Sequence, residues 1–125
     1  MAELGTSFAE ALAAKDYDRI RELMHAEIDF RGLTPNRSWE ARGPDAVVSE
    51  ILTQWIEESD RIEQLLSVET EMVADRERVG YRLMIDNDDG RFVVEQQAYL
   101  GERDGKIGWM RVVCSGFRPL TEPTR

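Results

Sequence analysis

His25, Asp29 and Arg31 stand within one short stretch and are the residues there best suited to move a proton. His25 is the single histidine of the chain, and an imidazole with an ordinary pKa of about 6.5 is the natural base at neutral pH. It follows Met24 at the end of a helical pattern, where a helix C-terminus favours imidazolium, so it reads equally well as a surface cap. Asp29 and Arg31 alternate with Ile28 and Phe30, which puts both charges on one face of a short strand. Together they are either a carboxylate base with an orienting guanidinium or a surface ion pair of small value. A second pair stands further along. Glu95 and Gln97 share one face of a strand otherwise holding Val93 and Tyr99, and Arg82 on the neighbouring strand is placed to pair with Glu95. A carboxylate on a core-facing wall must be paired or neutral. Glu95 with Arg82 is therefore a binding or acid–base element if that face lines a cavity, and a solvent or subunit contact if a bulge inverts it.

Other chemistries lack their residues. Cys114, the only cysteine, cannot form an internal bridge, and its apolar strand suits an inert buried thiol. One His and one Cys far apart make a poor zinc set. The run Asp86 to Gly90 resembles half a calcium loop, lacks the glutamate that would complete it, and reads as a turn. No glycine-rich phosphate loop, Ser–His–Asp arrangement or CxxC pair is present, so no cofactor and no metal are expected. The formal net charge is -9, from 25 Asp and Glu against 16 Lys and Arg, which disfavours nucleic acid as a partner. No leader-like start and no membrane-length apolar run stand out, so a cytoplasmic protein without a membrane partner is expected.

The elements that must position these residues follow from periodicity. The chain has 125 residues, 42% of them apolar, enough for one domain over residues 1–118 with a flexible tail at 119–125. Ser7 and Glu10 have capping-box spacing ahead of an apolar face of Phe8, Ala11 and Leu12. Asp16 caps a second helix carrying Tyr17, Ile20, Leu23 and Met24. The strand of Ile28 to Arg31 follows, then a polar loop from Gly32 to Gly43 interrupted by Trp39. Gly43, Pro44 and Asp45 open a third helix with a broad apolar face from Val47 to Ile56, including Trp55. Thereafter the period falls to two: strands over residues 62–73, 79–85, 92–100 and 107–115 are joined by tight polar turns, an antiparallel meander. Helices first and strands later give an α+β fold. Apolar residues on both alternations, such as Val93, Tyr99, Met110 and Val112 against Phe92, Val94, Ile107 and Trp109, imply burial of both sheet faces and hence a homodimer through the sheet.

Three stretches in this order, Phe8 to Phe30, Ala41 to Ile51 and Gly101 to Gly116, resemble the NTF2-like superfamily, and within it the SnoaL-like and ketosteroid-isomerase-like domains. The resemblance implies a cone-shaped fold, a curved antiparallel sheet wrapped around the N-terminal helices, with a site inside the cone. It puts the isomerases' base position at Arg31, their acid position at Gln97, or at Gln96 if a bulge intervenes, and Tyr17 nearest to their oxyanion-hole tyrosine. Arg31 stays protonated and glutamine cannot titrate, so the base role falls to Asp29 or His25, with Tyr17 as donor and Glu95 with Arg82 as acid and orienter. Met110, Val112 and Cys114 align with apolar pocket-lining positions, and Trp39, Trp55 and Tyr99 suit the wall of a cavity for a small hydrophobic ligand. Three functions stay open: a cofactor-independent isomerase, cyclase or dehydratase acting on a small hydrophobic oxygenated molecule, a non-catalytic binding domain, or a dimerisation module with a filled cone.

Overall fold

The computed structural model describes residues 3–120. Helix α1 (Glu3–Ala13) packs on α2 (Tyr17–Leu23), which Asp16 caps by accepting a hydrogen bond from the Arg19 N–H at 3.1 Å. Ser7 lies inside α1 instead of at its start. The role expected of Ser7 is taken by Glu77, far along the chain, whose carboxylate accepts from the Gly5 N–H at 3.0 Å. An anionic acceptor there also suits the positive end of a helix. Gly5 makes the approach possible, because a Cβ on it would stand 2.6 Å from Glu77 Oε2.

Strand β1 (Met24–Thr34) runs well beyond the short strand expected, and His25 lies in it, one residue past the α2 cap. Trp39 belongs to β2 (Arg37–Arg42) and not to a loop, since Asn36 turns the chain back in the left-handed region at φ 69°. Gly43 and Pro44 then open the third helical run as expected. It begins as α3 (Pro44–Ala46), widens into a π-helical segment (Val47–Leu52), and closes as α4 (Thr53–Trp55). Ser49 and Thr53 donate their hydroxyls to the carbonyls of Asp45 and Ser49, four residues back. Such back-bonding competes with the α-helical ladder, and the Thr53 N–H reaches Val48 O instead.

Four long strands complete the sheet: β3 (Arg61–Val73), β4 (Arg76–Asn87), β5 (Gly90–Arg103) and β6 (Lys106–Cys114). A short β7 (Arg118–Pro119) pairs with β5, so the sheet reaches into the expected tail; residues 121–125 lie outside the described chain. The strand order is β2-β1-β6-β5-β4-β3. All neighbours are antiparallel except β1 and β6, which run parallel, so the sheet is mixed and not wholly antiparallel. The reason is connectivity: β1 is laid down before the meander, and the last strand returns to lie along it.

One face of this curved sheet wraps the helices. Val79, Tyr81, Leu83 and Ile85 of β4, Val94, Ala98 and Leu100 of β5, and Met110, Val112 and Cys114 of β6 are buried there with Phe8, Leu12, Ile20 and the π-helical residues. A bulge between Gly101 and Glu102 shifts the β5–β6 register. It brings Ile107 into the core beside Met110, while Trp109 stays half-buried; an unbroken alternation would have set Ile107 with Trp109.

Candidate functional site

Aromatic side chains fill the interior of the cone. Phe8 packs on Tyr81, and Phe30 and Trp39 both pack on Trp55, with ring centroids 5.9 to 6.2 Å apart. The six-membered ring of Trp55 lies over Gly32, where a Cβ would stand 2.5 Å from Cη2. Glycine at that point of β1 is therefore a packing requirement. Met110 is 0% exposed, and Val112 and Cys114 are buried beside it in the core.

The polar groups inside have partners. The Tyr81 hydroxyl donates to Gln96 Oε1, across adjacent strands. Burial, seconded by the Cys114 thiol, pushes the Tyr81 pKa well above 10.0. Gln96 faces inward at 1% exposure, whereas Gln97 lies on the opposite face of β5. Among the described residues two carboxylates are buried, and both are tied to backbone amides. Glu77 holds the Gly5 N–H, and Asp60 Oδ2 accepts from the Glu57 N–H at 2.8 Å while Oδ1 accepts from Asn87. Desolvation raises the Glu77 pKa, the Gly5 bond lowers it, and nearby Glu102 raises it again. The indole N–H of Trp55 is buried without a hydrogen-bond partner among the described residues.

The residues singled out for proton transfer lie elsewhere. Asp29, Arg31, Arg82, Glu95, Gln97 and Tyr99 all project from the sheet face away from the helices, alternating with the buried positions. Arg82 and Glu95 do pair, at 3.2 Å, as expected from their register. They end a chain of contacts running Glu71, Arg78, Gln97, Glu95, Arg82, with Gly80 leaving room for the Gln97 amide. Asp29 meets Arg111 and Arg42 instead of Arg31. His25 Nε2 sits 3.3 Å from the exposed Asp104 carboxylate, and Nδ1 accepts from the Glu27 N–H. Tyr17 opens α2 half-buried against the core, and burial raises its pKa.

The outer face carries a cleft of about 500 Å³ across β2, β1, β6 and β5. Arg31, Leu33, Glu40, Tyr99, Arg111 and Val113 border it, and Gly32, Ser38, Trp39 and Val112 complete its floor. The register explains the grouping: Glu40 lies opposite Arg31, Arg31 beside Arg111, and Arg111 opposite Tyr99. Of the residues expected around a ligand, Arg31 and Tyr99 border this cleft, and Trp39 and Val112 touch its floor while packing in the cone. Trp55, Met110 and Cys114 belong to the cone, and Gln97 belongs to the neighbouring polar chain. Arg111, Leu33 and Val113 were not anticipated. Their signal was available, since the exposed phase of β1 and β6 places them beside Arg31.

The backbone arrangement has many relatives among solved structures. It superposes on a provisionally assigned isomerase from Bacillus subtilis with a TM-score of 0.74 at 15% identity, over 90% of this chain and 84% of that one. A provisionally assigned SnoaL-like polyketide cyclase from Mesorhizobium loti matches with a TM-score of 0.63 at 20% identity, over 89% of this chain and 96% of that one. The chain has the SnoaL-like form of the NTF2-like fold. An LEH-like epoxide hydrolase from M. tuberculosis shares this SnoaL-like frame too, with a TM-score of 0.64 at 12% identity over 90% of this chain and 80% of that one. The names span three chemistries on one fold, so the frame alone assigns none of them here. No protein-family model matches the sequence, and no curated protein does. Among the described residues no helix is long and apolar enough to cross a membrane, and no cluster of His, Cys, Asp and Glu could hold a metal ion.

Proposed function

We propose that this SnoaL-like chain is a non-catalytic binding module, in which the cone serves as hydrophobic core and the outer sheet face is the working surface. The observation that carries this reading is the seating of Trp55 on Gly32, which with Phe30 and Trp39 packs aromatic side chains into the cone. General acid–base catalysis needs a titratable group within reach of the reacting atom. The buried acids are bound to amides, His25 faces a surface turn, and the Tyr81 hydroxyl inside the cone is engaged with Gln96 and has its pKa pushed up. None of these groups therefore stands free as a base for a substrate there. The test uses wild type and Trp55→Ala. Wild type takes up no indole or benzene, whereas the variant binds one of them in the space vacated, as engineered apolar cavities do. Epoxide, enone and β-ketoester substrates are not turned over by wild type. Turnover, or indole bound inside the wild-type cone, would overturn the proposal.

A homodimer through the sheet is a second reading, favoured by Leu33 and Val113, 54% and 52% exposed on the outer face. Sedimentation equilibrium at micromolar concentration decides it. A dimer that Val113→Glu dissociates supports it, and a monomeric wild type removes it.

A further inference from the structure

The outer cleft holds an unused cation. Arg31 makes no ion pair or side-chain hydrogen bond with any described residue, although Glu40 stands directly opposite it on β2. Its neighbour Arg111 is differently placed. The Arg111 guanidinium donates to the carbonyls of Asp29 and Met110 at 2.9 Å, approaches Asp29 Oδ2 at 3.4 Å, and lies 4.4 Å from the centre of the Trp109 ring. One arginine is thus fixed by the fold while the other is left for something else. The Tyr99 hydroxyl has no hydrogen-bond partner among the described residues either. Arg31, Arg111 and Tyr99 occupy one row across three adjacent strands, spanning about 10 Å at the usual strand spacing. Two residues further along the same strands, Leu33 and Val113 offer exposed apolar surface to the same space.

We infer that this cleft binds an amphipathic monocarboxylate. The carboxylate takes the fork of Arg31 and the Tyr99 hydroxyl, and a flat apolar body lies over Leu33 and Val113. A guanidinium presents parallel N–H donors matched to the two oxygens of a carboxylate, so a free arginine is a better receptor for this group than a lysine would be. Arg111, held in place by backbone carbonyls, adds positive potential without having to move. Glu40 at the rim limits the ligand to a single negative charge, because a second anionic group would meet its carboxylate. The volume of about 500 Å³ falls in the range of small-molecule sites. A second copy of the chain fits the row less well, since isologous contact centred on it sets arginine against arginine.

The inference rests on the outer face being the working surface, and its test is independent of the cone. The full chain is titrated with 2-naphthoate and with uncharged 2-naphthamide, by calorimetry and by amide NMR. Naphthoate is expected to bind with shifts centred on Leu33 and Val113, and naphthamide at least about tenfold more weakly. Arg31→Gln weakens naphthoate at least about tenfold, the scale of one lost charge-assisted pair. Glu40→Gln tightens it, and added salt weakens it. The inference is overturned by absence of naphthoate binding, by equal binding of the amide, or by unchanged affinity in Arg31→Gln. Shifts centred on Tyr81 and Trp55 would overturn it too, and would also count against the closed cone. Failure at the cleft alone leaves the indole result with Trp55→Ala standing. A dimer in sedimentation that excludes naphthoate assigns the face to a second copy and defeats the inference.

Discussion

Trp55 rests against Gly32, with Cη2 at 2.5 Å from the point where a Cβ on the glycine would stand. The contact joins the end of the third helical run to the middle of β1, and it closes the cone. A methyl group at Gly32 has to displace the indole, which packs against Phe30 and Trp39. Gly32→Ala is therefore expected to destabilise the protein by about 1–3 kcal/mol, the usual cost of overpacking. Urea unfolding measures it. In a Trp55→Ala background the same substitution should cost much less, and additive effects in that cycle would refute the contact.

The buried hydrogen bond between Tyr81 and Gln96 gives a second expectation. Tyr81→Phe strips Gln96 of its donor inside the core and should cost about 1–3 kcal/mol. Combining it with Gln96→Leu should recover part of the loss, because both polar groups are then gone. Tyr81 also predicts behaviour in alkali. Its folded pKa is raised above 10.0, so the folded state holds the proton more tightly than the unfolded chain. The stability this contributes is complete below pH 10.0 and is lost as pH rises through the folded value. Absorbance at 295 nm should show one tyrosine ionising only together with unfolding, a phase that Tyr81→Phe removes.

Glu77 sets the opposite end of the pH range. Burial holds its pKa above the ordinary 4.5, against the pull of the Gly5 bond. A carboxyl with a raised folded pKa stabilises the fold below the unfolded value, and that contribution disappears as pH rises through the folded one. Glu77→Gln keeps an oxygen for Gly5 and carries no charge. Its melting temperature relative to wild type should climb between pH 4 and pH 7. A flat difference would mean that the carboxylate is not desolvated as its burial indicates.

Arg82 and Glu95 were candidates for acid–base work, and their pairing was legible in the spacing. What periodicity does not give is which side of the sheet the pair occupies. Their side chains are 58% and 40% exposed, so Arg82→Ala should cost less than about 1 kcal/mol, and salt should erase the effect. A loss of several kcal/mol on thermal unfolding would place the pair in a buried environment after all.

The same ambiguity runs through the whole sequence reading. Alternation in β4 correctly set Val79, Tyr81, Leu83 and Ile85 on one face, and Glu77, two residues earlier in the same phase, follows them into the interior. The helices, the α+β order and the antiparallel meander were readable because they depend on local period and turn residues. Trp39 was misplaced because Pro35 and Asn36 look like a loop and are in fact a tight turn between paired strands. Ile107 was misphased because a bulge of one residue is invisible to alternation. The parallel pairing of β1 with β6 depends on closure of the sheet, which no local pattern carries. The cleft around Arg31 depends on that pairing, since it alone brings Arg111 alongside.

The π-helical turn at Val47–Leu52 also sets a rotational phase. Each residue of an α-helix advances the chain by about 100° around its axis. Deleting one residue from this segment would let it relax to regular α-helix and would turn everything before it relative to Trp55 by roughly that angle. The indole could then stay on Gly32 only if Val47 and Val48 left the core, or the valines could stay only if the indole swung off. The seat of Trp55 on Gly32 thus hangs on the winding of one turn of backbone, which deletion of a single codon would change.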